Sequence, residues 1–117
     1  MSITEKQKTE LSKSLKLYRS AIKQAAQAMG AKHKGIAEKV VEKLADVRGP
    51  IDQLVSAGKY APSVTFKIKE LQQQQRVHAK GFVAAIKTGD LKASRQVLRF
   101  LIEDDAELSG LCGIDVE

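Results

Sequence analysis

The sequence has no tryptophan and, in 117 residues, one cysteine, two prolines, two tyrosines and three phenylalanines. With Cys112 alone, no intramolecular disulfide is possible, and a cytoplasmic protein with a thiol near its C-terminus is expected. So few aromatics imply a core of Leu, Ile, Val and Ala, and leave little for stacking on single strands or RNA. The densest apolar run, Phe82-Val83-Ala84-Ala85-Ile86, is far shorter than a membrane span. The opening Met1-Ser2-Ile3-Thr4-Glu5 is followed by no apolar stretch of a signal peptide. β-branched residues never alternate with polar ones over a useful length, so strands are not expected.

Catalytic signatures are missing as well. There is no P-loop, dinucleotide fingerprint or serine elbow. His33 and His78 are far apart and have no cysteine nearby, so no metal site is expected. Cys112 lacks a His and Asn set that would activate it. Glu103-Asp104-Asp105 are consecutive on a helical pattern and point in different directions. They read as solvated acids, paired at most with a Lys or Arg of a neighbouring helix. A non-enzymatic protein without cofactors follows.

What is present is helical periodicity. Leu11, Leu15, Tyr18, Ile22, Ala25 and Met29 recur at spacings of four and three, an unbroken stripe. Gly30 after it is expected to take a left-handed C-cap. Ser2 and Glu5 match a capping box, and Thr4 is an equally good cap. A second helix is expected from after Gly30 to Arg48, with Ile36, Val40, Leu44 and Val47 inward and Gly49-Pro50 as its stop. A short helix over 51–57 and a loop over 58–62 follow, with Tyr60 packed down. Ser63 caps a third long helix, which runs to Thr88. Thr88-Gly89-Asp90 forms a tight turn into a fourth, carrying Leu91, Val97, Leu98, Leu101, Ile102 and Leu108. After Ser109-Gly110 the tail, 109–117, is expected to fray. The expected fold is all-α: a compact bundle of four main helices plus one short helix in a single domain, 1–117, built from two antiparallel helical hairpins.

Charge is unevenly spread. The net charge is +6; residues 1–50 carry 11 Lys or Arg against 5 Asp or Glu, and residues 51–117 carry 9 of each. An anionic partner for the first half is therefore expected. Within it, Gln24 to Val41 resembles a helix-turn-helix: small Ala26, turn Gly30 four residues on, and apolar Ile36 six beyond. Lys32, His33 and Lys34 would then face DNA, and Lys39 and Lys43 would reach phosphates. Independently, Lys16, Arg19 and Lys23 share one helix face and could extend a positive strip. Against this, the first helix has no break before Gln24, and Glu38 and Glu42 oppose phosphate.

A second expectation is a protein-interaction module: an adaptor, an inhibitor of a larger enzyme, or a chaperone. The regular stripe of the first helix, with Leu11, Leu15 and Leu17, could serve a homodimer or a partner helix. Gln72-Gln73-Gln74-Gln75-Arg76 is a polar window in an amphipathic helix. Gln75 and His78 stand where apolar residues are expected and are candidate partner contacts. No membrane partner is expected.

Overall fold

The computed structural model describes residues 4–114, and every regular element among them is a helix. They are α1 (Glu5–Gly30), α2 (Lys34–Glu42), α3 (Leu44–Ser56), α4 (Pro62–Thr88) and α5 (Leu91–Leu111). The described chain measures 45 × 24 × 21 Å.

α1 starts at Thr4. The Thr4 hydroxyl accepts from Gln7 N at 3.1 Å and Gln7 Oε1 accepts from Thr4 N at 3.0 Å, a reciprocal capping box. The alternative cap, Ser2, lies outside the described residues. All six residues of the predicted stripe, Leu11 to Met29, are buried. Each large aliphatic among them contributes about 1.5–3 kcal/mol by leaving water.

α1 ends differently from the expectation. Gly30 is its last helical residue, and the left-handed position falls on Lys32, with φ 64°. Lys32 N donates to Met29 O at 3.1 Å and His33 N to Ala28 O at 2.7 Å, so the end carbonyls are satisfied by a Schellman turn.

The second correction concerns Gly49-Pro50, which does not stop a helix. The path breaks for one residue at Lys43 and then continues through Pro50 to Ser56. Proline inside a helix costs about 3 kcal/mol by losing a donor and crowding a carbonyl. Here that cost is met by packing: Ile51 is fully buried and Val55 nearly so. The short helix is thus α2, of nine residues, rather than a piece over 51–57. Leu54 is half-buried, and Tyr60 packs down as expected, its hydroxyl donating to Val55 O at 3.0 Å.

α4 begins one residue before the expected Ser63, because Pro62, with its fixed φ and no N–H to satisfy, suits the first helical turn. It ends as expected at Gly89, in the left-handed region at φ 75°. Asp90 caps α5 by accepting from Ala93 N at 3.0 Å. Beyond Ser109-Gly110 the chain does not fray at once: α5 runs to Leu111, and Cys112 is fully buried. Burial pushes the Cys112 thiol up, and the neighbouring Tyr60 hydroxyl partly offsets this.

The core is not purely apolar. Gln75 Nε2 donates to the Tyr18 hydroxyl at 2.8 Å, and the Arg48 guanidinium lies 4.9 Å above the Tyr18 ring. Arg48 Nη1 reaches both Asp105 oxygens, at 2.8 and 2.9 Å. Asp104, its sequence neighbour, accepts from Gln74 at 2.7 Å and lies 2.6 Å from His78 Nδ1. Asp104 and Asp105 are both buried, so the expectation that they are solvated acids fails. Consecutive residues of a helix do diverge, and here both directions lead inward, to two different neighbouring helices.

Candidate functional site

The basic residues expected to bind phosphate converge where two turns meet. The α1–α2 turn presents Lys32, His33 and Lys34, all exposed. The α4–α5 turn lies beside it: a Cβ on Gly89 would stand 4.0 Å from Lys34 Cε. Arg95, one turn into α5, lies over the end of α1, with Nη2 3.2 Å from where a Gly30 Cβ would be. Lys23, Gln27, Arg95 and Leu98 line an open groove of about 410 Å³ between α1 and α5. Lys87 and Lys92, two and three residues from Gly89, are exposed at the same end. Six cations, Lys23, Lys32, Lys34, Lys87, Lys92 and Arg95, thus surround the two turns. The nearby acids are occupied: Asp90 caps α5, and Glu38 pairs with Lys34 at 3.9 Å.

The other predicted phosphate contacts lie further from this end. Lys16 is exposed on α1, and Lys39 and Lys43 are exposed along α2. Arg19 is half-buried, and its charge acts on buried Asp105 of α5. Three of the six, Lys87, Lys92 and Arg95, belong to the second half, whose zero net charge hides them. Their signal was local: all three flank Gly89-Asp90, a turn the sequence predicts.

Within the stretch that resembles a helix-turn-helix, Ala25 and Met29 are buried, but Ile36 does not turn inward as expected. It is 52% exposed, whereas Ala37 and Val41 are buried. The inward face of α2 is one residue out of the expected register, with Ala37 and Val41 in place of Ile36 and Val40.

The residues expected at a partner or dimer interface fall in different places. Leu11 and Leu15 are consumed by the protein's own core, at 0% and 1% exposure. Gln75 is buried against Tyr18, and His78 is half-buried against Asp104, its ring stacked on Phe100 with centroids 5.2 Å apart. A helical stripe does not distinguish a neighbour in the same chain from one in another, and here the same chain supplies it. Leu17 is exposed, as are Phe66, Val77 and Phe100.

A helix ending at Gly49-Pro50 would leave Arg48 at a terminus, whereas α3 continues through Pro50 and buries it. Once the helix continues, Val41, Leu44, Arg48, Ile51 and Val55 form one stripe at spacings of three and four, with Arg48 inside it. Asp104 and Asp105 likewise fall between Leu101 and Leu108 on the apolar face of α5. Among the described residues, no group of three or more His, Cys, Asp or Glu could hold a metal ion, and no helix is long and apolar enough to cross a membrane. No known family, curated protein or solved structure matches this chain.

Proposed function

We propose that the chain is a non-enzymatic cytoplasmic regulatory protein that binds nucleic acid by gripping phosphates with its basic end. The observation that carries this reading is the convergence of Lys23, Lys32, Lys34, Lys87, Lys92 and Arg95 on two adjacent turns. A second feature supports it. Lys32 occupies a left-handed backbone position, at φ 64°, where a glycine would avoid a cost of about 1–2 kcal/mol. Strain of this kind is characteristically held at functional positions. The mode is phosphate neutralisation rather than base reading. α1 continues for 26 residues instead of forming a short first helix of a helix-turn-helix, and α2 carries Glu38 and Glu42. The α1–α2 and α4–α5 turns lie side by side, which suits this role, since both can then reach one backbone.

The test is fluorescence anisotropy with a labelled random duplex at low and moderate salt. Micromolar binding that weakens steeply with salt is expected. Changing Lys32, Lys34 and Arg95 together to Glu should abolish it at moderate salt, with helical circular dichroism unchanged. Single Ala substitutions should each reduce the salt slope by about one. Lys32→Gly should raise the melting temperature while weakening binding. Absence of binding at low salt, or binding indifferent to the triple change, rejects the reading. In that case the exposed apolar side chains favour the second reading, an interaction module. Leu17, 62% exposed, is then the residue to change: Leu17→Glu should dissociate a dimer in sedimentation.

A further inference from the structure

The inner face of α4 is used by the fold and the outer face is not. Ile68, Leu71, Gln75, Phe82, Ala85 and Ile86 are buried on the inner one. Opposite them, Phe66, Glu70, Gln73, Val77, Lys80 and Ala84 recur at spacings of four and three, and all six are exposed. That is the heptad spacing of a coiled-coil seam, sustained over about 27 Å of helix. Phe66 and Val77 leave most of their apolar surface in water, at 64% and 59% exposure. Glu70 and Lys80 each lack a hydrogen-bond or ion-pair partner among the described residues.

This stripe is complementary to itself when run backwards. In an antiparallel pair with its two-fold axis level with Gln75, residues equally far before and after Gln75 meet across the seam. Phe66 then meets Ala84, Glu70 meets Lys80, and Gln73 meets Val77. A large side chain meets a small one, an acid meets a base, and two-fold symmetry makes each contact twice. Gly81, beside Ala84, has open space where a Cβ would stand, so the Phe66 ring has room there. Phe66, Glu70 and Gln73 border a shallow open depression of about 570 Å³, which can take the long Lys80 stem. Lys69 and Arg76 flank the stripe and can extend into solvent. Arg76 Nη2 already donates to Gln73 Oε1 at 3.1 Å.

We propose that the protein forms an antiparallel homodimer through the outer face of α4, with Phe66 of each copy against Ala84 of the other and Glu70 against Lys80. The surface is distinct from Leu17 of α1, and pairing does not depend on nucleic-acid binding. A single helix pair with polar layers is at the small end of interfaces, under about 1,200 Å² in total. The dimer is therefore a dissociating one, with Kd of about 10–100 µM.

Sedimentation equilibrium of the full chain should show monomer passing to dimer between about 5 µM and about 1 mM. Glu70→Lys sets like charges together at both symmetry-related pairs and should weaken dimerisation at least about tenfold, as should Lys80→Glu. The two single variants, mixed in equal amounts, should associate with each other as well as the wild-type chain does with itself, because every facing pair is again opposite in charge. Both changes are at exposed positions, so the helical circular dichroism should be unchanged. Monomer throughout the concentration range overturns the proposal, as does a mixture that fails to associate. A dimer that survives both reversals but is dissociated by Leu17→Glu is held through α1 and equally overturns it.

Discussion

The two flanks of α4 are built differently. Toward α5, Gln74 and His78 both engage one carboxylate, Asp104, and His78 stacks on Phe100. Toward α3 there is a groove, and the arginine that lines it has one nitrogen paired and two unfilled. Both flanks place a buried aspartate of α5 opposite a polar partner, and the two aspartates are consecutive. The difference is in the partners. Gln74 is exposed and His78 half-buried, so their remaining polar atoms can reach water and the interface closes. Arg48 is charged and enclosed, and its Nε and Nη2 have no acceptor among the described residues. A buried polar pair stabilises an interface only when every member is satisfied.

Removing Asp105 should have the largest effect. Asp105→Ala strands the buried Arg48 charge and should lower the unfolding free energy by about 3–5 kcal/mol in urea titration. Replacing both members, Arg48→Met with Asp105→Leu, should restore most of it, because an apolar pair has no desolvation cost. A single change costing under about 1 kcal/mol would mean that the ion pair does not hold the open flank.

Tyr18 beneath the same groove should show its burial in alkali. Desolvation raises its pKa from 10.0 to about 12, with Arg48 pulling the other way. The unfolded chain therefore ionises first. The stability tied to Tyr18 is intact below pH 10 and is lost as pH rises toward about 12. Over that window the wild-type protein should lose about 3 kcal/mol more than Tyr18→Phe. Parallel loss in the two proteins would place the hydroxyl in contact with water.

On the closed flank, Asp104→Ala should cost about 1–2 kcal/mol, less than Asp105→Ala, since Gln74 and His78 can rehydrate. Equal costs for the two neighbours would erase the contrast between flanks. The smallest effect belongs to Phe100→Ala, a half-exposed stack worth about 0.5–1.5 kcal/mol, seen as a slightly lower melting temperature.

Local chemistry accounts for the features that were legible in the residues alone. The α1 stripe, the long α4, the Gly89 turn and the Asp90 cap depend on neighbours within about four positions, where spacing and backbone preference decide. The all-helical fold class follows from the same rules. The basic end was half visible: Lys23, Lys32 and Lys34 could be marked, but Arg95 joins them only because α5 lies against the end of α1. Chain direction in space is set by packing, which spacing along one helix does not encode.

Where the residues misled, long-range packing outweighed a local preference. Pro50 reads as a stop, yet burial of Ile51 and Val55 carries the helix through it. Gly30 reads as the turn residue, yet the Schellman geometry places Lys32 there. Leu11 and Leu15 read equally well as a surface for another molecule, and the chain's own helices cover them. The sequence by itself determined that the chain is helical and which face of α1 is apolar, because those follow from the 3.6-residue period. The tertiary structure alone decided which apolar faces meet, that Arg48 and Asp105 find each other across 57 residues, and that α4 closes on α5 while leaving a groove toward α3. Those outcomes depend on the summed free energy of contacts between segments distant in the chain, and no single segment contains that sum.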